Sequence, residues 1–214
     1  MSEDQARQAE IHIAGNTALD LLVRDVPSEM GAVIDDFGAG NTHFLDGPVE
    51  FVLGGQGGGT ALALGRLNRR VTLNTQIGND AFGSVLRSRL GEANVDVISP
   101  PSPSTAVNVI LLDAEGLRRS FYFRGERVDF LFSRDQTSSK WFFVGVHGGM
   151  VPEDIERLGD CFKAFRARGT EVAFDIGPWI GGMVTPENMY ALWQDVDCLL
   201  GTESELSVWA SDAR

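Results

Sequence analysis

The string Gly54-Gly55-Gln56-Gly57-Gly58-Gly59 carries five of the chain's 25 glycines and constrains the fold more than any other feature. Glycine loses more backbone entropy on ordering than any other residue, so such a run stabilises neither a strand interior nor an isolated helix. It marks a turn where the backbone passes close to something. Residues 49–53 before it read as a strand, and residues 60–67 (TALALGRL) place small and apolar side chains at helical spacing. The unit is strand, turn, helix. Its glycines read as a hinge and a floor for a polar ligand, or as a tight turn that only lets the helix pack closely.

That unit belongs to a longer alternation. Residues 10–15, 18–23, 71–77, 141–146, 171–176 and 196–200 have strand patterns, and residues 80–93, 152–168 and 186–193 have helical ones. Asp80 stands where it caps its helix, which places Phe82, Val85, Leu86 and Leu90 on one face. Gly169 stops the helix of 152–168, and residues 203–210 begin one more. Strands separated by helices predict an α/β fold, a three-layer α/β/α sandwich around a mainly parallel sheet that binds ligands beyond the carboxyl ends of its strands. Two β-rich stretches, about 17–52 and 104–130, lack helices of their own. The second holds a hairpin, 106–112 and 117–123 joined across 114–116. These stretches are expected to pair as a small β-sheet lid inserted in one domain spanning 1–214. Residues 99–104 (SPPSPS) are the nearest thing to a linker.

Composition narrows the partners. With 43% hydrophobic and 22% charged residues the chain folds, and its net charge of −12 sets it against nucleic acid and anionic membrane surfaces. No apolar stretch is long enough to span a bilayer, and the start, MSEDQARQAE, is not a secretory leader. Only Cys161 and Cys198 are present, both in core-like patterns, which suits buried thiols in the cytoplasm. A small-molecule partner is expected. His12, His43 and His147 lack ligand spacing, so no metal site is predicted. His147, beside Gly148-Gly149 at a strand end, is a candidate substrate contact or a satisfied core histidine. Arg118, Arg119, Arg124 and Arg127 form the one basic cluster, and Phe121 and Phe123 alternate with them, a pattern suited to packing between lids in a homodimer.

The usual nucleotide motifs do not fit the glycine run. Counted from Gly55, a dinucleotide fingerprint finds Thr60 at its third glycine, and no acid closes the next strand. Counted from Gly54 to Gly59, a phosphate loop finds Thr60 where its lysine must stand.

GGQGGGTALALGRLNRRVTLNTQIGNDAFGSVLRSRLGEANVDV resembles the first signature of the ribokinase-like (PfkB) family of carbohydrate and nucleoside kinases. IAGNTALDLLV, TAVNVILLDAEGLRRSFYFRG, EVAFDI and LLGTESEL are similar to further family segments in the same order. The resemblance implies ATP-dependent phosphorylation of a sugar or nucleoside hydroxyl, with Mg²⁺ and a closing lid. It assigns Asp20, Gly54, Gly55 and Gly59 to the substrate, and Asp175, Thr202 and Glu205 to the neighbourhood of phosphate and magnesium. Bland alternatives are a turn cap for Asp20, backbone acceptance for Asp175 and a solvated first-turn acid for Glu205. Two positions depart from the family: its substrate-contacting asparagine falls on Gly59, and the asparagine of its Asn-x-x-Glu segment falls on Thr202. The family's catalytic aspartate, in a Gly-Ala-Gly-Asp motif, is expected beyond Arg214 together with the adenine pocket. Residues 37–44 (FGAGNTHF) mimic that motif with Asn41, which cannot accept a proton, so they read as a glycine-rich lid loop. A kinase whose C-terminal part follows Arg214 is the expectation, and a non-catalytic sugar-binding or regulatory module is the alternative.

Overall fold

The computed structural model describes residues 10–26, 44–126, 139–145, 150–178, 180 and 184–210. In chain order these form β1 (Ile11–Ala14), β2 (Ala18–Val23), β3 (Glu50–Gly54), α1 (Gln56–Arg66), β4 (Val71–Asn74), α2 (Ala81–Glu92), β5 (Val95–Ile98), β6 (Ala106–Leu112) and β7 (Arg118–Phe123). Then follow β8 (Trp141–Gly145), α3 (Pro152–Arg166), β9 (Glu171–Asp175), α4 (Pro186–Trp193), β10 (Cys198–Leu200) and α5 (Glu203–Ala210).

Six strands make one sheet in the order β10-β9-β8-β1-β4-β5, and every neighbouring pair is parallel. Successive side chains of a strand point to opposite faces, so the apolar runs feed two cores at once. Ala14, Phe142, Val144, Val172 and Phe174 face Ile155, Leu158, Phe162 and Phe165 of α3 and Met189 and Leu192 of α4. Ile13, Leu73, Phe143 and Ala173 join Ala61 of α1 and Leu86 and Leu90 of α2 in the other core. This is the helix-covered, mainly parallel sheet that the alternation predicts.

The remaining four strands form a second, mixed sheet in the order β3-β2-β6-β7. Its centre is the parallel pair β2·β6, flanked by antiparallel β3 and β7. Asp80 caps α2 by accepting the Gly83 N–H at 2.7 Å, as its position predicts. The same carboxylate accepts the backbone N–H of Thr105 at 2.8 Å and its hydroxyl at 2.6 Å. A helix cap thereby also anchors the entry to β6.

Three local expectations need correction. Phe82 and Val85 are exposed, and only Leu86 and Leu90 of the expected α2 face are buried, because Gly83 takes the place at the helix start that packs closest, against the carbonyl of Gly78. Residues 99–104 are no linker: Ser102 is buried, its carbonyl accepts the Asn79 N–H, and the Ser99 hydroxyl accepts the Ile77 N–H. Cys161 and Cys198 are only partly buried.

Candidate functional site

The glycine run is the start of α1 rather than a loop preceding it. Gly55 alone of the run takes a positive φ, 86°, which L side chains rarely adopt. Gly57 and Gly58 are already helical and pressed against the end of β1. A Cβ on Gly57 would lie 2.6 Å from the carbonyl carbon of Gly15, so only glycine lets the backbones meet. The first N–H groups of a helix need acceptors from outside it, and here Asn16 supplies them. Its side-chain oxygen accepts the Gln56 N–H at 3.1 Å, and its carbonyl accepts those of Gly57 and Gly58 at 3.1 and 3.0 Å. Donors occupied this way are not free to cradle a phosphate, which agrees with the failure of both nucleotide motifs.

Asp20 lies on β2 opposite Val52 of β3 on one side and Asn108 of β6 on the other, and Asn108 stands opposite Tyr122 of β7. One face of the second sheet therefore presents Asp20, Asn108 and Tyr122 in a row. The Asp20 carboxylate sits against Gly54, where a Cβ would overlap it. Partial burial pushes the Asp20 carboxyl above its ordinary range, while the Asn108 side-chain amide and the nearby Arg118 charge pull it back. Partial burial likewise raises the Tyr122 phenol, opposed by the bond from Asn16 and reinforced by the negative charge of Asp20. Asn16 donates its amide N–H to that phenol oxygen at 3.2 Å. Gly59 faces open space, with no atom within 4 Å of a Cβ built on it.

The second set of residues lies at the carboxyl ends of β9 and β10. Asp175 is raised first by burial and further by the charge of Glu205, and lowered by bonds from the Gly177 N–H and the Gln56 side-chain amide. Glu205 accepts the Thr202 N–H at 2.7 Å, and the Thr202 hydroxyl accepts the Glu205 N–H at 3.3 Å, a reciprocal cap on α5. Asp175 accepts a backbone N–H, as its alternative expects, and takes a side-chain bond besides; Glu205 is a first-turn acid that caps its own helix beside a second acid. Two neighbouring carboxylates suit a divalent cation held through water. Among the described residues no three His, Cys, Asp or Glu side chains gather to bind a metal directly.

The structure brings Asp20 to Gly54, and Asp175 to Glu205 and Thr202. His147, His43, Arg127 and residues 37–43 of the glycine-rich mimic lie outside the described residues. His12 is a core histidine, stacked edge-on against Phe142 and Phe165. Sequence reasoning missed Asn16, Gln56, Asn108 and Tyr122. Gln56 was signalled as the one side chain in the glycine run that can hydrogen-bond, and Asn108 as an amide at an inward position of an apolar strand. Asn108 bonds to Asp20, while Asn16 bonds both the Tyr122 phenol and the Gln56 backbone N–H, and the Gln56 side chain reaches Asp175. A separate cavity of about 250 Å³ between α3 and α4, lined by Ile155, Gly159, Lys163 and Leu192, shares none of these residues.

A helix-covered parallel sheet with a small mixed sheet at its side is the ribokinase fold. Ribokinase from Thermotoga maritima superposes with a TM-score of 0.69 over 96% of this chain and 63% of its own, at 19% identity. Ribokinase from Cryptococcus neoformans var. grubii serotype A, solved in complex with ADP, gives a TM-score of 0.67 over 96% of this chain and 62% of its own, at 18% identity. In sequence, the probable fructokinase-2 of Arabidopsis thaliana is 27% identical over 208 residues, 87% of this chain and 58% of that protein. Residues 28–213 match the pfkB family carbohydrate kinase signature, and the chain belongs to that family. It spans less than two thirds of the length of these relatives.

Proposed function

We propose that the chain is one ribokinase-like domain, with the second sheet as its lid, and supplies the acceptor side of an ATP-dependent kinase for a sugar or sugar-like hydroxyl. The observation that carries this reading is the Asp20 carboxylate held against Gly54, just before the start of α1, on the polar row of the second sheet. An ionised carboxylate accepts hydrogen bonds from hydroxyl groups, and glycine at position 54 lets that carboxylate lie directly against the backbone. Gly54 and Gly55 also absorb the rotation as the lid closes. Tyr122, held protonated, donates where Asp20 accepts, so one hydroxyl can engage both. Asp175 and Glu205 fit Mg²⁺ held through water, with Thr202 fixing the glutamate; the ion and ATP would supply charge neutralisation and the phosphoryl group. The proton acceptor for the reacting hydroxyl is assigned to no residue described here.

The exposed Phe121 and Phe123 on the opposite face of β7 suit a homodimer through the lid. Among the described residues no helix is long and apolar enough to cross a membrane, and we assign the chain to the cytoplasm. Calorimetric titration with a panel of neutral sugars and nucleosides, beside an ADP-release assay with ATP and Mg²⁺, tests the reading. Sugar binding with ADP release supports the kinase. Binding without release favours the sugar-binding or regulatory module, and no binding to any member of the panel refutes both.

A further inference from the structure

Asn108 is 7% exposed and lies on β6 between Ala106 and Ile110, both buried on the same face. The strand pattern calls for an apolar side chain there. Instead an amide is buried, and its Oδ1 has no hydrogen-bond partner among the described residues. A buried carbonyl left unpaired destabilises the fold, so the benefit of asparagine must come from its other end. That end donates to the Asp20 carboxylate directly across the β2·β6 pair. The amide cannot be turned round without setting its oxygen against a carboxylate, acceptor against acceptor. Leucine would fill the same space with no unpaired atom, but it would leave a half-buried carboxylate without a neutral donor.

We propose that Asn108 is a positioning residue for Asp20: its side-chain amide holds the carboxylate in the ionised form and in the orientation that receives the hydroxyl groups of the acceptor. The proposal rests on the kinase-acceptor reading of Asp20 and deepens it by assigning hydroxyl affinity to a residue that itself need not touch the sugar.

The groups around Asp20 are few. From β7 come Tyr122 and Arg118, whose Nε is bonded to the Ser120 hydroxyl at 2.8 Å. At the far ends of β2 and β3, Arg24 and Glu50 are paired with each other at 2.9 Å. From α2, Arg89 lies over the Phe51 ring on the opposite face of the sheet. Arg118 is thus the one cation acting directly on the carboxylate among the described residues. Burial favours the protonated acid, while Asn108 and Arg118 favour the anion. Removing Asn108 therefore moves the Asp20 titration to higher pH, and the acid limb of sugar binding moves with it.

The test follows the Asp20 carboxyl by carbon-detected NMR through a pH titration of the 214-residue chain, comparing wild type with Asn108→Leu and Asn108→Ser. The two variants differ in volume and polarity, so one that misfolds leaves the other to report. The expected result is a higher midpoint in both and sugar binding about tenfold weaker, the scale for one hydrogen bond to a charged group. In an Asp20→Asn background the Asn108 substitutions should add nothing further, since the effect passes through the carboxylate. An unmoved midpoint in a folded variant overturns the proposal. So does an equal loss of affinity with and without the Asp20 carboxylate, which would make Asn108 a packing residue or a direct contact. Should wild type bind no sugar, the acceptor reading and the affinity half of the proposal fall, while the NMR midpoint still decides whether Asn108 governs Asp20.

Discussion

The two sheets treat a buried titratable group differently. In the six-stranded sheet His12 is 3% exposed and ringed by Phe142 and Phe165. Burial lowers its pKa from 6.5 to about 4, against one opposing bond from Asn74. The core accepts the group only without its charge. In the four-stranded sheet Asp20 is half-buried, and two partners, Asn108 and Arg118, oppose the burial that would protonate it. At His12 burial goes almost unopposed, whereas at Asp20 burial still raises the carboxyl but two donors work against it. Asp175 shows a third arrangement. Burial and the neighbouring Glu205 both raise it, against bonds from the Gly177 N–H and the Gln56 side chain, with no cation among its causes.

The largest expected effect breaks the comparison at His12. Below pH 6.5 the unfolded chain binds a proton that the native histidine refuses until about pH 4, so stability falls as pH falls through that window and is fully recovered above it. The loss should reach about 3 kcal/mol at the low end, read by urea denaturation at pH 7 and pH 4.5. His12→Leu should flatten the dependence over that range. Next comes Asp20→Ala, expected to weaken sugar binding about a hundredfold by removing two charge-assisted bonds, and to cost about 1 kcal/mol of stability because the buried Asn108 amide loses its acceptor. Calorimetry and a melting curve on one sample check both halves.

Asp80→Ala attacks the seam between the two sheets. It removes the cap of α2 and leaves two donors of Thr105 without their acceptor, so about 2 kcal/mol of stability should be lost. Hydrogen exchange would show the loss concentrated at the start of β6. Gly59→Asn sharpens the reading of the acceptor site: the open space there admits the side chain, and the affinity gain should be at most about tenfold. A loss of affinity would place the sugar elsewhere. The smallest effect is that of Glu205→Gln, which keeps an oxygen to cap Thr202 and deletes one charge. The Asp175 titration should move to lower pH, with stability unchanged within about 0.5 kcal/mol.

Much of the scaffold was legible because its signals are local. The alternating strands and helices, the Asp80 cap and the hairpin across Gly116 depend on side chains a few residues apart, and each stands where the pattern put it. The glycine run was legible as a close approach but misread in extent. Its helix begins at Gln56 because a carbonyl and an amide of Asn16, forty residues earlier in the chain, satisfy the first turn. Leu86 and Leu90 were legible as core, whereas the exposure of Phe82 and Val85 was not, since helical period alone does not say how far round the helix its neighbours reach.

What the sequence determined by itself was the architecture, through the two periodicities of the backbone, together with the order of its family segments. Through the family resemblance it also singled out Asp20, Gly54 and Glu205 as site candidates. What only the tertiary structure decided was which of these groups are neighbours, and hence their chemistry. Strand register set Asn108 against Asp20 and Tyr122 against Asn108, and the close of the sheet set Glu205 beside Asp175. A carboxylate's charge depends on everything within a few ångströms, and only folding brings residues 20, 108, 118 and 122 within that distance of one another.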